Sequence, residues 1–139
     1  MNIQSFLAGP PLGGGPSFGL LALRAAAGLG LMIHGIPKIQ NPFGWMGPDA
    51  ATPGLLLALA AVSEFLGGIG IAIGLLTRPA ALGILCTMCV ATWTHIAKGD
   101  PFVGAGSYEL PLVYACMGLF LLLNGAGRFS LDSVLFHKG

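Results

Sequence analysis

The stretch PGLLLALAAVSEFLGGIGIAIGLL, residues 53–76, decides the fold. It carries one charge, Glu64, and is long enough to cross a bilayer, which takes roughly 17–25 mainly apolar residues. Three further segments read the same way. They are residues 18–36, interrupted by Arg24 and His34; residues 79–97, with His95 near the end; and residues 108–124, with Glu109 in the first turn. Leu76-Thr77-Arg78-Pro79 leaves room only for a tight turn, so the second and third helices form an antiparallel hairpin. Lys98-Gly99-Asp100-Pro101 closes the third helix and Gly125-Ala126-Gly127 the fourth. Alternating segments of about ten residues, the mark of a transmembrane barrel, are absent from the sequence. The pattern predicts an all-α integral membrane protein, a four-helix transmembrane bundle with a short interfacial C-terminal segment.

Composition agrees. Of 139 residues, 55% are hydrophobic and 8% charged, and mean hydropathy is +0.84. Soluble domains carry about a quarter charged residues, so this chain cannot hydrate a surface of its own. High hydrophobicity excludes disorder. A net charge of +1 and a pI near 7.8 leave no footprint for nucleic acid. The partner that composition does require is the lipid bilayer.

The chain divides into a Gly/Pro-rich arm (1–17), the four-helix domain (18–125) and an interfacial tail (126–139). The arm lacks the basic n-region and apolar core of a secretory signal. Arg78, Arg128 and Lys138 face Lys38 and Lys98 across the expected bundle. That bias predicts cytoplasmic termini, with loops 37–52 and 98–107, Trp45 and Trp93 on the outer side. In the second helix Gly70 and Gly74 form a GxxxG pair, extended by Ala60, Gly67 and Gly68. Such small residues let helices approach closely in lipid; packing within one chain and dimerisation both use them.

Ionisable side chains inside a membrane are costly and face a bundle interior or a wet cavity. Counted from His34, Arg24 lies about 15 Å below the outer end of the first helix; counted from Pro53, Glu64 lies about 16 Å below that of the second. Equal depth predicts an Arg24–Glu64 ion pair, either a register device or the polar floor of a proton-relaying cavity. Nearer the outer face, His34, Lys38, His95 and Glu109 are expected to converge as its mouth. Histidine hydrogen-bonds a quinone carbonyl and carries protons near neutral pH. Two histidines and a carboxylate also suit a metal, but no HxxxH or ExxH spacing is present, and no metal site is assigned. Ordinary interfacial roles for the same residues remain open. Cys86 and Cys89 form a CxxC within a helix, with Cys116 at similar depth on the next. Reactive CxxC pairs open helices, where the dipole lowers the thiol pKa, so these cysteines read as packing residues, with thiol–quinone chemistry the alternative. The sequence holds no haem, iron–sulfur or nucleotide motif.

The order Arg24; His34-Gly35 and Lys38; Glu64 with its Gly-Gly; Gly74-Leu75-Leu76-Thr77-Arg78; His95; Glu109; and Gly125-Ala126-Gly127-Arg128-Phe129-Ser130-Leu131-Asp132 resembles the DoxX family of small four-helix bacterial membrane proteins. The resemblance spans roughly residues 19–134 and leaves out the N-terminal arm and any role for the CxxC. It implies a bacterial inner-membrane protein associated with quinone-linked redox complexes. Glu64, Arg24 and Glu109 are then candidate proton-relay residues, and His34, Lys38 and His95 candidates for a quinone head group. Electrons would come from a partner in a larger membrane complex; a homo-oligomer is the other assembly expected. The competing expectation is a non-catalytic scaffold subunit. Solute transport fits less well, because four short helices leave little room for alternating access. In the tail, Gly125 and Gly127 suit a helix end, and Ser130 caps a short helix from Leu131 with Asp132 in its first turn.

Overall fold

A computed structural model describes Phe6, Leu7, Pro10 and residues 12–136 of the chain. The helices are α1 (Gly14–Gln40), α2 (Gly54–Ile73), α3 (Thr77–Ala97), α4 (Glu109–Asn124) and the short α5 (Leu131–Phe136). No strand occurs among the described residues. By length and composition α1, α2 and α3 are each able to span a membrane, and α4 is a shorter apolar helix. Part of the expected arm and the end of the tail, including Lys138, lie outside the described residues.

Prolines mark where the helices begin. Pro16, Pro79 and Pro111 are each the third residue of their helix. There the missing N–H removes no intrahelical bond, since the first four helical N–H groups have no partner in the helix. Pro37 does not stop α1, which continues through it to Gln40. The helix therefore runs four residues past the expected end at Ile36 and starts four residues before Phe18.

Each helix packs on the next in the chain, α1 on α2, α2 on α3 and α3 on α4. The α1–α2 contact is backbone on backbone. A Cβ on Gly28 would stand 2.6 Å from Gly68 O and Ala72 N, and one on Gly35 would stand 2.5 Å from Phe65 N. Lipid supplies no hydrophobic drive between helices, so van der Waals contact at this range holds the pair together. Gly70 and Gly74 do not form the expected packing stripe. Gly74 lies beyond the end of α2, with φ of 71° as its left-handed cap, and Leu75 N–H reaches back to Gly70 O at 2.8 Å.

That turn is the most heavily tied point of the structure. Leu76, with φ of 49°, is the one non-glycine residue in the left-handed region among the described residues, a conformation that persists only when its surroundings enforce it. The enforcing group is Asp132 of α5, whose Oδ1 accepts from Leu76 N–H at 2.7 Å and Oδ2 from Thr77 N–H at 2.9 Å. Its own N–H donates to Gly74 O at 2.8 Å. The Asp132 carboxylate, fully buried, thus caps α3 from a different segment and lies against the positive end of its dipole. Arg24, equally buried, donates from Nη2 to Phe129 O at 2.5 Å and approaches Ile71 O at 3.5 Å through Nη1. A Cβ on Gly74 would collide with that guanidinium. Arg128 N–H donates to Ser17 Oγ at 3.2 Å, and Arg78 Nη2 donates to Leu123 O at 2.6 Å, so α1, α3, α4 and the tail meet at one end of the bundle.

Asp132→Ala, which strips α3 of both cap bonds, is expected to lower stability by about 3 kcal/mol. Asp132→Asn, which keeps one acceptor oxygen, should fall between the two. Loss of helical circular dichroism in a denaturing-detergent titration measures the order.

Candidate functional site

The α1–α2 register places the central charge. Because Gly35 faces Phe65, the neighbouring Glu64 of α2 meets Lys38 one turn further along α1. Lys38 Nζ donates to Glu64 Oε1 at 2.5 Å and to Oε2 at 2.6 Å. The Glu64 side chain is 3% exposed and that of Lys38 23%. Trp45, in the loop after α1, lays its ring 4.5 Å from the Lys38 ammonium and donates Nε1–H to Leu57 O at 3.0 Å. The pair is therefore chelated and stacked on Trp45, and of its two side chains that of Lys38 is the one in part exposed.

The expected Arg24–Glu64 pair is not formed. Because α1 runs on to Gln40, Arg24 lies about 24 Å below its end and Glu64 only about 15 Å below the start of α2. The two charges are not at equal depth, and each finds its own solution: Glu64 pairs with Lys38, and Arg24 ties backbone carbonyls at the other end. No hydrogen bond or ion pair joins His34, Lys38, His95 and Glu109 among the described residues. His34 and Glu109 are exposed, and His95 Nδ1 is 2.7 Å from Asp100 Oδ2 at the end of α3. Among the described residues no group of three or more His, Cys, Asp and Glu side chains is placed to hold a metal. Cys86, Cys89 and Cys116 are free thiols on exposed helix faces rather than packed inside the bundle.

Two contributors go beyond the sequence expectation. Trp45, expected simply on the outer side, holds Lys38 with its ring; an aromatic seven residues beyond a helical lysine is the available signal. Tyr114 of α4 places its hydroxyl where a Cβ on Gly30 would stand, so a glycine on α1 makes room for it. Tyrosine pointing at glycine across two helices that are not neighbours in sequence leaves no local pattern.

The fold and this site define a small multi-pass helical membrane protein built around an intramembrane ion pair. Comparison with known proteins gives the family. A sequence model of DoxX matches residues 19–97, and the chain belongs to the DoxX family. An uncharacterized protein of Haemophilus influenzae is 33% identical over 123 residues, covering 86% of this chain and 92% of the relative. A Bacillus subtilis protein named "Putative oxidoreductase CatD" is 28% identical over 120 residues, covering 85% and 87%. No solved structure matches the chain.

Lys38→Met leaves the Glu64 carboxylate buried without its counter-charge and is expected to cost about 3–5 kcal/mol. The exchange Lys38→Glu with Glu64→Lys restores opposite charge at the same contact and should recover most of that loss. Unfolding of the single and exchanged variants in mixed detergent micelles checks both.

Proposed function

We propose that this DoxX protein is the membrane subunit of a quinone-linked redox complex, in which Lys38 and Glu64 deliver protons to the quinone head group. One observation carries the reading: a lysine and a glutamate lie against each other inside the bundle, and the lysine is not fully covered. Lysine has three N–H donors. Two contact Glu64, and among the described residues the ammonium has no third acceptor. A quinone carbonyl oxygen is such an acceptor.

Reduction of a quinone consumes two electrons and two protons. Lys38 binds the carbonyl oxygen and gives it the first proton as charge builds there; Glu64 takes up a proton from solvent and passes it to the neutral Lys38 amine, which then delivers the second, and a further uptake restores the charged pair. The sequence carries no electron-transfer motif, so the electrons come from a cofactor-bearing partner protein, and the complex is the working unit. The oxidoreductase name of the Bacillus subtilis relative supports the class of reaction. The bacterial relatives support an inner-membrane location, and the sequence count of Arg78, Arg128 and Lys138 against Lys38 and Lys98 supports cytoplasmic termini. Arg24 belongs to the backbone ties at that end, and His34, His95 and Glu109 stand outside the proposed proton path.

Purification from native membranes in mild detergent, with mass spectrometry of co-eluting proteins and lipids, is expected to find quinone and a cofactor-bearing protein in fixed ratio. Glu64→Gln should elute in the same complex and lose quinone reduction by about 100-fold or more. A complex without quinone, active at full rate as Glu64→Gln, would make the chain a scaffold subunit instead.

A further inference from the structure

Beside the ion pair, the loop joining α1 and α2 encloses an open pocket of about 620 Å³, within the size range of small-molecule sites. Its walls include Asn41, Phe43, Ala50, Thr52, Gly54 and Leu57. No Lys, Arg, Asp or Glu is among its lining residues. One amide and one hydroxyl supply the polar side-chain contacts, and both donate as well as accept. Phe43 offers an aromatic edge beside Gly54, where a Cβ would stand 3.1 Å from Phe43 O. An uncharged wall of this kind leaves an ionised ligand without a counter-charge, whereas a flat, neutral ring bearing carbonyls finds donors and an apolar bed.

The pocket is coupled to the ion pair through one residue. Leu57 lines it, and the Leu57 carbonyl accepts the indole N–H of Trp45, whose ring lies on Lys38. Leu57 and Glu64 are seven residues apart on α2, two turns and about 10 Å along the same face. Neither Lys38 nor Glu64 lines the pocket, whose Asn41 wall donates its backbone N–H to Lys38 O at 3.3 Å, so it adjoins the pair where an amphiphile would dock before reaching it. We propose that this pocket is the entry site for a neutral, planar, carbonyl-bearing amphiphile, with Trp45 the positioning residue between it and Lys38. The proposal rests on the redox reading for the identity of the ligand, and its site is separate from the one that reading uses.

The chain has two tryptophans, and Trp93 is 70% exposed on α3 at the same end of the bundle, so fluorescence separates docking from simple partition into lipid. In liposomes, Trp93→Phe leaves Trp45 as the reporter, and Trp45→Phe leaves Trp93. Titration with a decyl-chain benzoquinone is expected to quench Trp45 saturably and Trp93 only in proportion to quinone in the bilayer. In the Trp93→Phe background, Thr52→Val should raise the half-saturating concentration by about fivefold. Ala50→Leu, which fills the pocket, should abolish saturation while the thermal transition stays in place. Linear quenching of Trp45 that matches Trp93 would overturn the entry site even if quinone reduction depends on Glu64. Saturable quenching in a protein whose complex reduces no quinone would uphold the pocket and remove the redox reading.

Discussion

A carboxylate inside a bilayer must find a cation, and in this protein Glu64 finds Lys38. The contact depends on a chain of earlier conditions. Gly28, Gly35 and Gly68 let α1 and α2 meet backbone to backbone, which fixes the register between them. That register, together with the continuation of α1 through Pro37 to Gln40, brings Lys38 level with Glu64. Trp45 then closes one side of the ammonium by bonding back to α2. Remove the close approach and the glutamate faces hydrocarbon alone, a state that costs several kcal/mol or neutralises the acid.

The opposite end of the bundle is secured by different means. Turns between membrane helices expose backbone groups that lipid cannot satisfy. Asp132 satisfies the first amides of α3, Gly74 O accepts from the Asp132 N–H, and Arg24 reaches the carbonyls of Ile71 and Phe129. The C-terminal helix is thus a structural cap whose polar side faces inward. Phe129, Leu131, Val134 and Leu135 remain exposed on its other side, consistent with a segment lying at the membrane interface. Arg24 and Glu64, the two charges deepest in the sequence pattern, serve separate ends of one fold.

Hydropathy alone made the helices legible, because lipid demands long apolar runs and closed backbone hydrogen bonding. Helix ends were less so. Pro37 reads as a stop in isolation, but in the last turn it costs a single N–H bond, and α1 passes through it. Those few residues changed the depth of Arg24 and with it the predicted ion pair. The motif residues Gly74, Thr77 and Asp132 were visible in the sequence and resembled a family pattern. Their joint role was not, because Asp132 caps a helix that begins 55 residues earlier in the chain. The contact of Tyr114 with Gly30 was illegible for the same reason, because segments far apart in sequence leave no spacing to read.

Whether the Lys38–Glu64 pair acts or merely holds the bundle together is the question on which the account turns. Replacing both partners by uncharged residues separates these roles, since a buried pair removed as a unit can leave stability nearly unchanged. The measurement is quinone reduction by native membranes carrying the double substitution Lys38→Met and Glu64→Gln, alongside the stability of the purified protein. The account predicts a protein as stable as the parent in a complex that no longer reduces quinone. Retention of full reduction by that stable double variant would contradict it.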